Sequence, residues 1–437
     1  MAKGFVISAT RSGEGKTLIT LGILHLLSKK GFKVQPFKIG PDYIDPKWHA
    51  LACGRPSYNL DLFSMGEKRL KGLFYHKSKR CDYSVVEGVM GLFDGKYSTF
   101  KVARLVKLPI ILILDTYGLA ESLTFVVKGF VEKIKRASLP FFLFLNRVSS
   151  EKHLLRLEKA LKRYPVIGYL FRNKEYELPS RHLGLFLPEH FKEAEALISE
   201  VAGALEISFD LSLLQTFENP SFEGYPLPSF LPPLPFKKVG LAKDIAFNFY
   251  YQHLLDELST KSELLFFSPL RDKGLPSQVE ALYFGGGYPE LFAQELYENQ
   301  TFIKELKAFV EEGNPLYAEC GGLIYLSKGI YWNKRFYPLS GVFPYEIEKK
   351  GLTLGYRRVS ILETHPFLGD IKGFYAHEFH YSHLKVPLKT SKIKKIFKVS
   401  THEKERFLEG YRYKNALATY LHFLATEEKN PSRRSQL

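Results

Sequence analysis

Cysteine is scarce in this chain of 437 residues: Cys53, Cys81 and Cys320 are all it has. Three thiols so far apart exclude a disulfide framework and a zinc site built on paired cysteines. Long apolar runs are missing as well. No stretch reaches the roughly 20 residues needed to cross a bilayer, and the chain enters a strand at Gly4-Phe5-Val6-Ile7 without a signal-peptide layout, so a cytoplasmic protein is expected. Glutamine is sparse beside abundant lysine and glutamate, a balance typical of thermophile proteins. Helix-turn-helix, finger and RNA-binding signatures are absent although the formal net charge is +16. The lysines are spread along the chain, which suits small polyanionic substrates better than nucleic acid.

What is present is a globular composition, 45% hydrophobic and 25% charged, with enough length for two cores. Strand and helix patterns alternate twice along the chain, and the fold class expected is two doubly wound α/β domains. The first is expected over 1–218 and the second over 237–426. Between them, 219–236 carries Pro226, Pro228, Pro232 and Pro233 and reads as a semi-rigid linker. Residues 427–437 turn polar and read as a flexible tail.

Thr10-Arg11-Ser12-Gly13-Glu14-Gly15-Lys16-Thr17 follows the first strand and opens a helix with apolar positions at Leu18, Leu21, Leu24 and Leu27. This is the context of a phosphate-binding loop. The amides around Gly13 and Gly15 would cradle ATP phosphates, Lys16 would reach the outer ones, and the Thr17 hydroxyl would ligate Mg2+. Thr10 stands where the usual loop begins with glycine. Such variants occur in the dethiobiotin-synthetase-like branch of P-loop proteins, where Arg11 falls near that branch's extra lysine.

Further strands bring more polar groups to the same sheet edge. Asp42 and Asp45 lie in the turn after the strand that begins at Val34, with Lys38 just before it, and Glu87 and Asp94 flank the loop after Tyr83-Ser84-Val85-Val86. In parallel α/β sheets ligands sit beyond the carboxyl ends of strands, so these carboxylates are candidates for magnesium and substrate positioning. Aspartate beside proline is also ordinary turn chemistry. Asn146 ends a later strand, where it would either read the adenine base or cap the next helix.

In the second half, Pro315-Leu316-Tyr317-Ala318-Glu319-Cys320-Gly321-Gly322-Leu323 reads as strand, elbow and helix. An elbow of this kind pushes one side chain out of the sheet edge, and a thiol at a helix N-terminus is favoured as thiolate. A helix is expected over Phe247 to Leu258. The glycines after Ala281-Leu282-Tyr283-Phe284 leave backbone amides bare, so Gly286 and Gly287, with Gly321, are candidates for an oxyanion hole. The partner base expected for Cys320 is His422, at the end of a strand begun at Ala416. His377-Glu378-Phe379-His380 holds the main rivals.

Taken in order, Ser12 to Thr17, Pro36 to Pro46, Glu87 to Gly95, Leu145 to Val148, Phe284 to Leu291, Ala318 to Leu323, His377 to Ser382 and Thr419 to His422 resemble the cobyrinic acid a,c-diamide synthase family across nearly the whole chain. The resemblance implies an ATP-dependent synthetase domain followed by a class I glutamine amidotransferase domain. Cys320 would attack the glutamine side-chain amide and His422 would shuttle the proton. ATP and Mg2+, with Thr17, Asp45 and Glu87 as metal ligands, would phosphorylate a carboxylate of a tetrapyrrole, and ammonia would replace the phosphate at the a and c acetates. Leu424 occupies the place where many class I enzymes carry a glutamate, so a Cys–His pair is expected with its orienting group open. The partners implied are a tetrapyrrole polycarboxylate, glutamine and ATP, with no membrane, no nucleic acid, and room for a homodimer. Two other rings, nickel-sirohydrochlorin and hydrogenobyrinic acid, fit the same motifs. A regulatory or partitioning P-loop ATPase is the reading from another class, and it has no use for Cys320.

Overall fold

The computed structural model describes residues 2–427 except 179, 182, 183, 186, 333, 386–391, 402 and 404. The expected tail from 428 onward lies outside the described residues. The chain divides into two compact units, Met1–Pro228 and Ser229–Leu437.

In the first unit, β1 (Lys3–Ala9), β2 (Val34–Ile39), β3 (Tyr58–Leu60), β4 (Tyr83–Glu87), β5 (Ile110–Asp115), β6 (Phe141–Val148) and β7 (Val166–Phe171) form one sheet. It has seven strands in the order β3-β2-β4-β1-β5-β6-β7, and every pairing is parallel. Runs such as Ile110 to Leu114 are apolar at every position because helices cover both faces. These are α1 (Lys16–Lys29), α2 (Asp45–Cys53), α3 (Leu62–Ser78), α4 (Thr99–Val106), α5 (Leu123–Arg136), α6 (Glu151–Leu161) and α7 (Ala194–Ser208). A two-residue ladder, β8 (Ser180–Arg181) with β9 (Gly184–Leu185), precedes α7.

Helices α1, α2 and α7 share a core with Phe5, Ile7, Ile111, Ile113 and Phe142. A Cβ on Gly22 would lie 2.6 Å from both Val201 and Leu205 side chains, so the close approach of α1 to α7 explains a glycine in mid-helix. Phe37 packs against Phe74 of α3 with ring centroids 5.2 Å apart. Connections diverge where β4 lies beside β1, which opens a crevice at the carboxyl ends of these two strands.

The second unit holds β10 (Lys238–Ala242), β11 (Glu263–Phe267), β12 (Ala281–Phe284), β13 (Leu316–Glu319), β14 (Gly329–Trp332), β15 (Arg335–Pro338), β16 (Glu346–Ile361), β17 (Gly373–Lys385), β18 (Lys394–Thr401), β19 (Arg406–Tyr413), β20 (Ala416–Thr419) and β21 (His422–Thr426). Its helices are α8 (Gln252–Lys261), α9 (Ala293–Glu298), α10 (Gln300–Glu311) and α11 (Gly321–Leu326). Strands β11, β10, β12, β13 and β20 run parallel in that order. Beyond β20 the sheet continues antiparallel through β19, β18 and β16, and β17 pairs with both β16 and β21. The unit is therefore α/β with an antiparallel extension that strand–helix alternation does not reveal. Among the described residues no helix is long and apolar enough to cross a membrane.

Two expectations need correcting. Residues 247–251 are not helical, and α8 begins only at Gln252. Asp244 accepts from the Ala246 and Phe247 amides, and the next two amides, of Asn248 and Phe249, donate to the Gly286 carbonyl, which holds the chain extended across the glycine loop. The strand expected to end at His422 is two strands. Glu409 accepts from the Thr419 hydroxyl and the Tyr420 amide, ending β20 and turning the chain so that His422 starts β21. The proline-rich stretch is divided between the units. Asn219 bonds to Ala2 and Ser84 in the first, whereas the Phe230 and Leu231 amides donate to Glu257 in the second.

Candidate active site

Each unit presents one site. In the first, the loop between β1 and α1 is shaped by Gly13 and Gly15, whose φ angles of 82° and 90° lie in the left-handed region. Glu14 ties the loop together: it accepts from the Thr10 amide at 2.7 Å and the Thr10 hydroxyl at 2.6 Å, and pairs with the Arg11 guanidinium at 3.4 Å. Thr10, in place of the usual first glycine, is thus one end of an internal clasp. The Lys16 ammonium donates to the Arg11 carbonyl at 3.3 Å. Burial, and then the charge of Lys38, lower its pKa.

A buried charge cluster adjoins the loop. Lys38 donates to Asp45 at 2.5 Å, to Glu87 at 2.8 Å and to the Gly88 carbonyl at 3.2 Å. Thr17 donates to Glu87 at 2.8 Å, and His49, oriented by Ser57, contacts the other Glu87 oxygen at 2.7 Å. Burial alone would raise the Glu87 pKa, but Lys38 and His49 outweigh it and hold the carboxyl ionised. Burial would also strip the Lys38 proton, and Asp45 and Glu87 keep it on. Asp45 is pushed up by burial and by Asp42, against the pull of Lys38. One ammonium thus serves two carboxylates.

Thr17, Asp45 and Glu87 do come together, as expected, around Lys38. Their donors are hard oxygens, which suit a magnesium ion that takes one or two protein ligands and otherwise phosphates and water. Among the described residues no group of three or more His, Cys, Asp or Glu is placed to hold a metal ion alone. Asp42 is spent on its own turn, accepting from the Ile44 and Asp45 amides. Asp94 is exposed and accepts from the Gly91 amide at 2.9 Å, so it shapes its loop and does not enter the cluster. Asn146 lies under the phosphate loop, donating to the Glu14 carbonyl at 2.9 Å and accepting from the Arg147 amide. A Cβ on Gly15 would meet its amide nitrogen at 2.4 Å. Its carboxamide braces the loop in this structure. His49 and Glu14 went unnoticed in the sequence, because a lone histidine and an acid inside a glycine loop carry no spacing signal.

In the second unit Cys320 stands between β13 and α11 at φ 45°, ψ −97°, a strained elbow conformation for a non-glycine residue. Its amide donates to the Thr419 carbonyl at 2.7 Å, and the Gly322 amide donates to Gly285 at 3.1 Å. The glycines have steric reasons. A Cβ on Gly286 would come within 2.4 Å of His422 Cε1, one on Gly287 within 1.9 Å of the Ala246 carbonyl, and one on Gly321 within 2.8 Å of the Gly287 amide nitrogen. The loop 285–287 therefore touches both the cysteine elbow and the histidine, and brings the three expected oxyanion residues together.

The thiolate expected at a helix N-terminus is opposed by its surroundings. Helix α11 is only six residues long. Burial first, then Glu290 and Glu319, push the Cys320 thiol up, and the Gly321 amide offsets only part of this. The proton must then leave during attack.

His422 is buried and lies opposite His377 on β17. Its Nδ1 is 3.6 Å from Glu319 Oε2, and the next amide, of Phe423, donates to Glu319 Oε1 at 3.0 Å. His377 is pushed down to about 3 by burial, then by His422 and Arg357. His380 is used elsewhere: it contacts Glu378 at 2.9 Å and the Ser382 carbonyl at 2.6 Å, and its ring stacks on Tyr420 at 4.0 Å. Glu319 was inside the elbow motif yet unremarked.

Comparison with known proteins agrees with both halves. Residues 5–186 match the CobQ/CobB/MinD/ParA nucleotide binding domain, and residues 238–430 match the CobB/CobQ-like glutamine amidotransferase domain. The first unit is a nucleotide-binding P-loop domain. The chain is 38% identical to the cobyrinate a,c-diamide synthase of Caldanaerobacter subterraneus subsp. tengcongensis, over 97% of this chain and 95% of that protein. It is also 38% identical to that of Saccharolobus solfataricus, over 96% and 97%, and 39% identical to that of Synechocystis sp., over 87% and 82%. Likeness at this level over nearly the full length of both partners places the chain in one family: it belongs to the cobyrinate a,c-diamide synthases.

Proposed function

We propose that this protein amidates the a and c acetate carboxylates of cobyrinic acid in cobalamin biosynthesis, using ATP and glutamine. The observation that carries the reading is the pairing in one chain of an intact phosphate loop with Lys16 and a strained cysteine elbow facing a glycine loop and His422. A regulatory ATPase would have no use for the second of these. Residues 1–218 serve as the synthetase domain and 237–426 as the amidotransferase domain, working in the cytoplasm.

At the amidotransferase site, Cys320 Sγ attacks the glutamine side-chain carbonyl carbon while His422 takes the thiol proton. The resting thiol is held protonated by burial, so it becomes nucleophilic only when the base acts. Amides at Gly286, Gly287 and Gly321 face the developing oxyanion. The C–N bond breaks, His422 returns the proton to the leaving ammonia, and water releases glutamate from the thioester. At the synthetase site, backbone amides of the loop and Lys16 hold the ATP phosphates. Magnesium, when bound, neutralises charge on those phosphates, and Thr17, Glu87 and Asp45 are the residues that would hold it. Lys38 keeps Glu87 ionised in a buried setting. The carboxylate oxygen of the ring attacks the terminal phosphorus, ADP leaves, and the acyl phosphate gives the carbonyl carbon a leaving group that an ionised acid lacks. Ammonia then displaces phosphate, once per acetate.

The test is a comparison of purified rings. With ATP, magnesium and glutamine, cobyrinic acid should gain two amides by mass. Preferential amidation of nickel-sirohydrochlorin or hydrogenobyrinic acid would overturn the choice of ring, and glutamate release without amidation of any ring would overturn the reaction.

A further inference from the structure

Class I glutamine amidotransferases commonly orient their histidine with an acid two residues further on, and here that place is taken by Leu424, which is buried and apolar. An imidazole that must accept and return a proton needs its second nitrogen fixed, or the tautomer and the ring orientation wander. A carboxylate paired with His422 is that of Glu319, at 3.6 Å from Nδ1. Glu319 is itself only 2% exposed, and its other oxygen is fixed at 3.0 Å by the amide of Phe423, immediately after the histidine.

The backbone explains how an acid next to the nucleophile faces the base. Tyr317 and Glu319 share one face of β13 because side chains two apart point the same way. Tyr283 stands opposite Tyr317 in the parallel register with β12. Burial, and then the Glu319 charge, raise the pKa of both phenols. Cys320 follows Glu319 at the elbow, outside the strand, and β21 starts with His422, whose Nδ1 lies 3.6 Å from Glu319. The chain thus holds nucleophile and acid as neighbours in sequence, one on each side of the bend.

We infer that Glu319 is the positioning residue for His422, replacing the acid that the sequence lacks after the histidine. The inference rests on the reading of Cys320 and His422 as the glutaminase pair. In the free enzyme the 3.6 Å contact is an ion-pair distance; catalytic hydrogen bonds are often long before substrate binds and tighten in the Michaelis complex. As Cys320 gives up its proton, the carboxylate stabilises the imidazolium that forms and holds Nε2 toward the sulfur. Other titratable or charged groups around this pair include His377 and Glu378 on β17, Arg357 on β16, Glu290, Tyr250, Tyr283 and Tyr317.

The experiment compares Glu319→Gln, Glu319→Asp and Cys320→Ala in the full-length protein, following glutamate release and, separately, amidation of the ring with free ammonia. Glutamine keeps an acceptor for the Phe423 amide and removes only the charge. The expected result for Glu319→Gln is a kcat for glutamine hydrolysis down about 10²-fold or more with little change in KM, by analogy with removal of the acid from other triads. Its ammonia-dependent amidation should stay at the wild-type level. Glu319→Asp should recover part of the loss. Glutaminase within about threefold of wild type in Glu319→Gln, or equal losses with glutamine and with ammonia, would overturn the inference. Cys320→Ala separates the two levels: if it still hydrolyses glutamine, the underlying Cys–His reading fails, whatever Glu319 does.

Discussion

Replacing Gly286 by alanine should disable glutamine use while leaving the fold and the synthetase chemistry intact. Gly286 is not among the residues with positive φ, so alanine fits its backbone. The added Cβ would stand 2.4 Å from His422 Cε1 and 3.3 Å from Nδ1. Ordinary carbon contact begins near 3.5 Å, so the imidazole must retreat by about 1 Å. A displacement of that size at a reacting group costs about 10²-fold in rate, or about 2.7 kcal/mol of barrier. Because the ring is the tip of a side chain, it yields before the backbone does, and the damage falls on catalysis. Glutamate release by Gly286→Ala should therefore drop about 10²-fold, while amidation with ammonium chloride matches the wild type. Gly287→Ala makes a useful contrast. Its Cβ would strike the Ala246 carbonyl at 1.9 Å from a backbone at φ 156°, so lower stability is expected there as well. If Gly286→Ala hydrolyses glutamine within about threefold of wild type, the proposed place of His422 beside the glycine loop is wrong.

Three further outcomes follow from the geometry. Asn146→Ala removes the donor to the Glu14 carbonyl and leaves a gap against Gly15; with one buried acceptor unpaired, a stability loss of about 1–3 kcal/mol and a raised KM for ATP are expected, measured by thermal unfolding and steady-state kinetics. An unchanged KM would mean that the brace does not shape the nucleotide site. Glu409 is pushed up to about 7 by burial, with Glu378 adding to this against the bonds from Thr419 and the Tyr420 and Gly410 amides. The folded protein therefore binds more protons than the unfolded chain between about pH 4.5 and 7, so stability falls as pH rises through that window, by at most about 3 kcal/mol. Glu409→Gln should flatten the fall in Tm over that range, and an identical slope in both proteins would contradict the assignment. Lys16→Ala should lose ring amidation and keep most glutaminase, because Lys16 and Cys320 belong to different units.

The sequence carried the parallel sheets and the phosphate loop because those features are local. Apolar runs such as Ile110 to Leu114 can only be strands covered on both faces, and Gly13 and Gly15 mark the loop by needing left-handed backbone. The elbow at Cys320 was legible for the same reason. What stayed hidden depends on contacts between distant segments. His49 reaches Glu87 across 38 residues, Glu409 ends β20 through side-chain bonds, and Glu319 meets His422 across more than 100 residues, so none leaves a periodic trace. Electrostatics are harder to read from sequence where burial opposes a local signal. A cysteine before a helix looks activated in sequence, but its desolvation and two neighbouring carboxylates outweigh one amide and a short helix. For Asp94 and Asn146 the sequence suggests substrate- and nucleotide-facing roles, and the bonds each makes in the structure hold a loop.

In the proposed reaction a thiol in one unit frees the nitrogen that the other unit attaches to an acid activated by ATP. The sharpest test follows the isotope in the ring product of Cys320→Ala, supplied with ATP, magnesium, cobyrinic acid, ordinary glutamine and ammonium labelled with heavy nitrogen. Two amides that both carry label, and no unlabelled amide, are expected. Unlabelled amides formed from glutamine by this variant, or no amide at all from ammonium while the variant remains folded, would contradict that reaction.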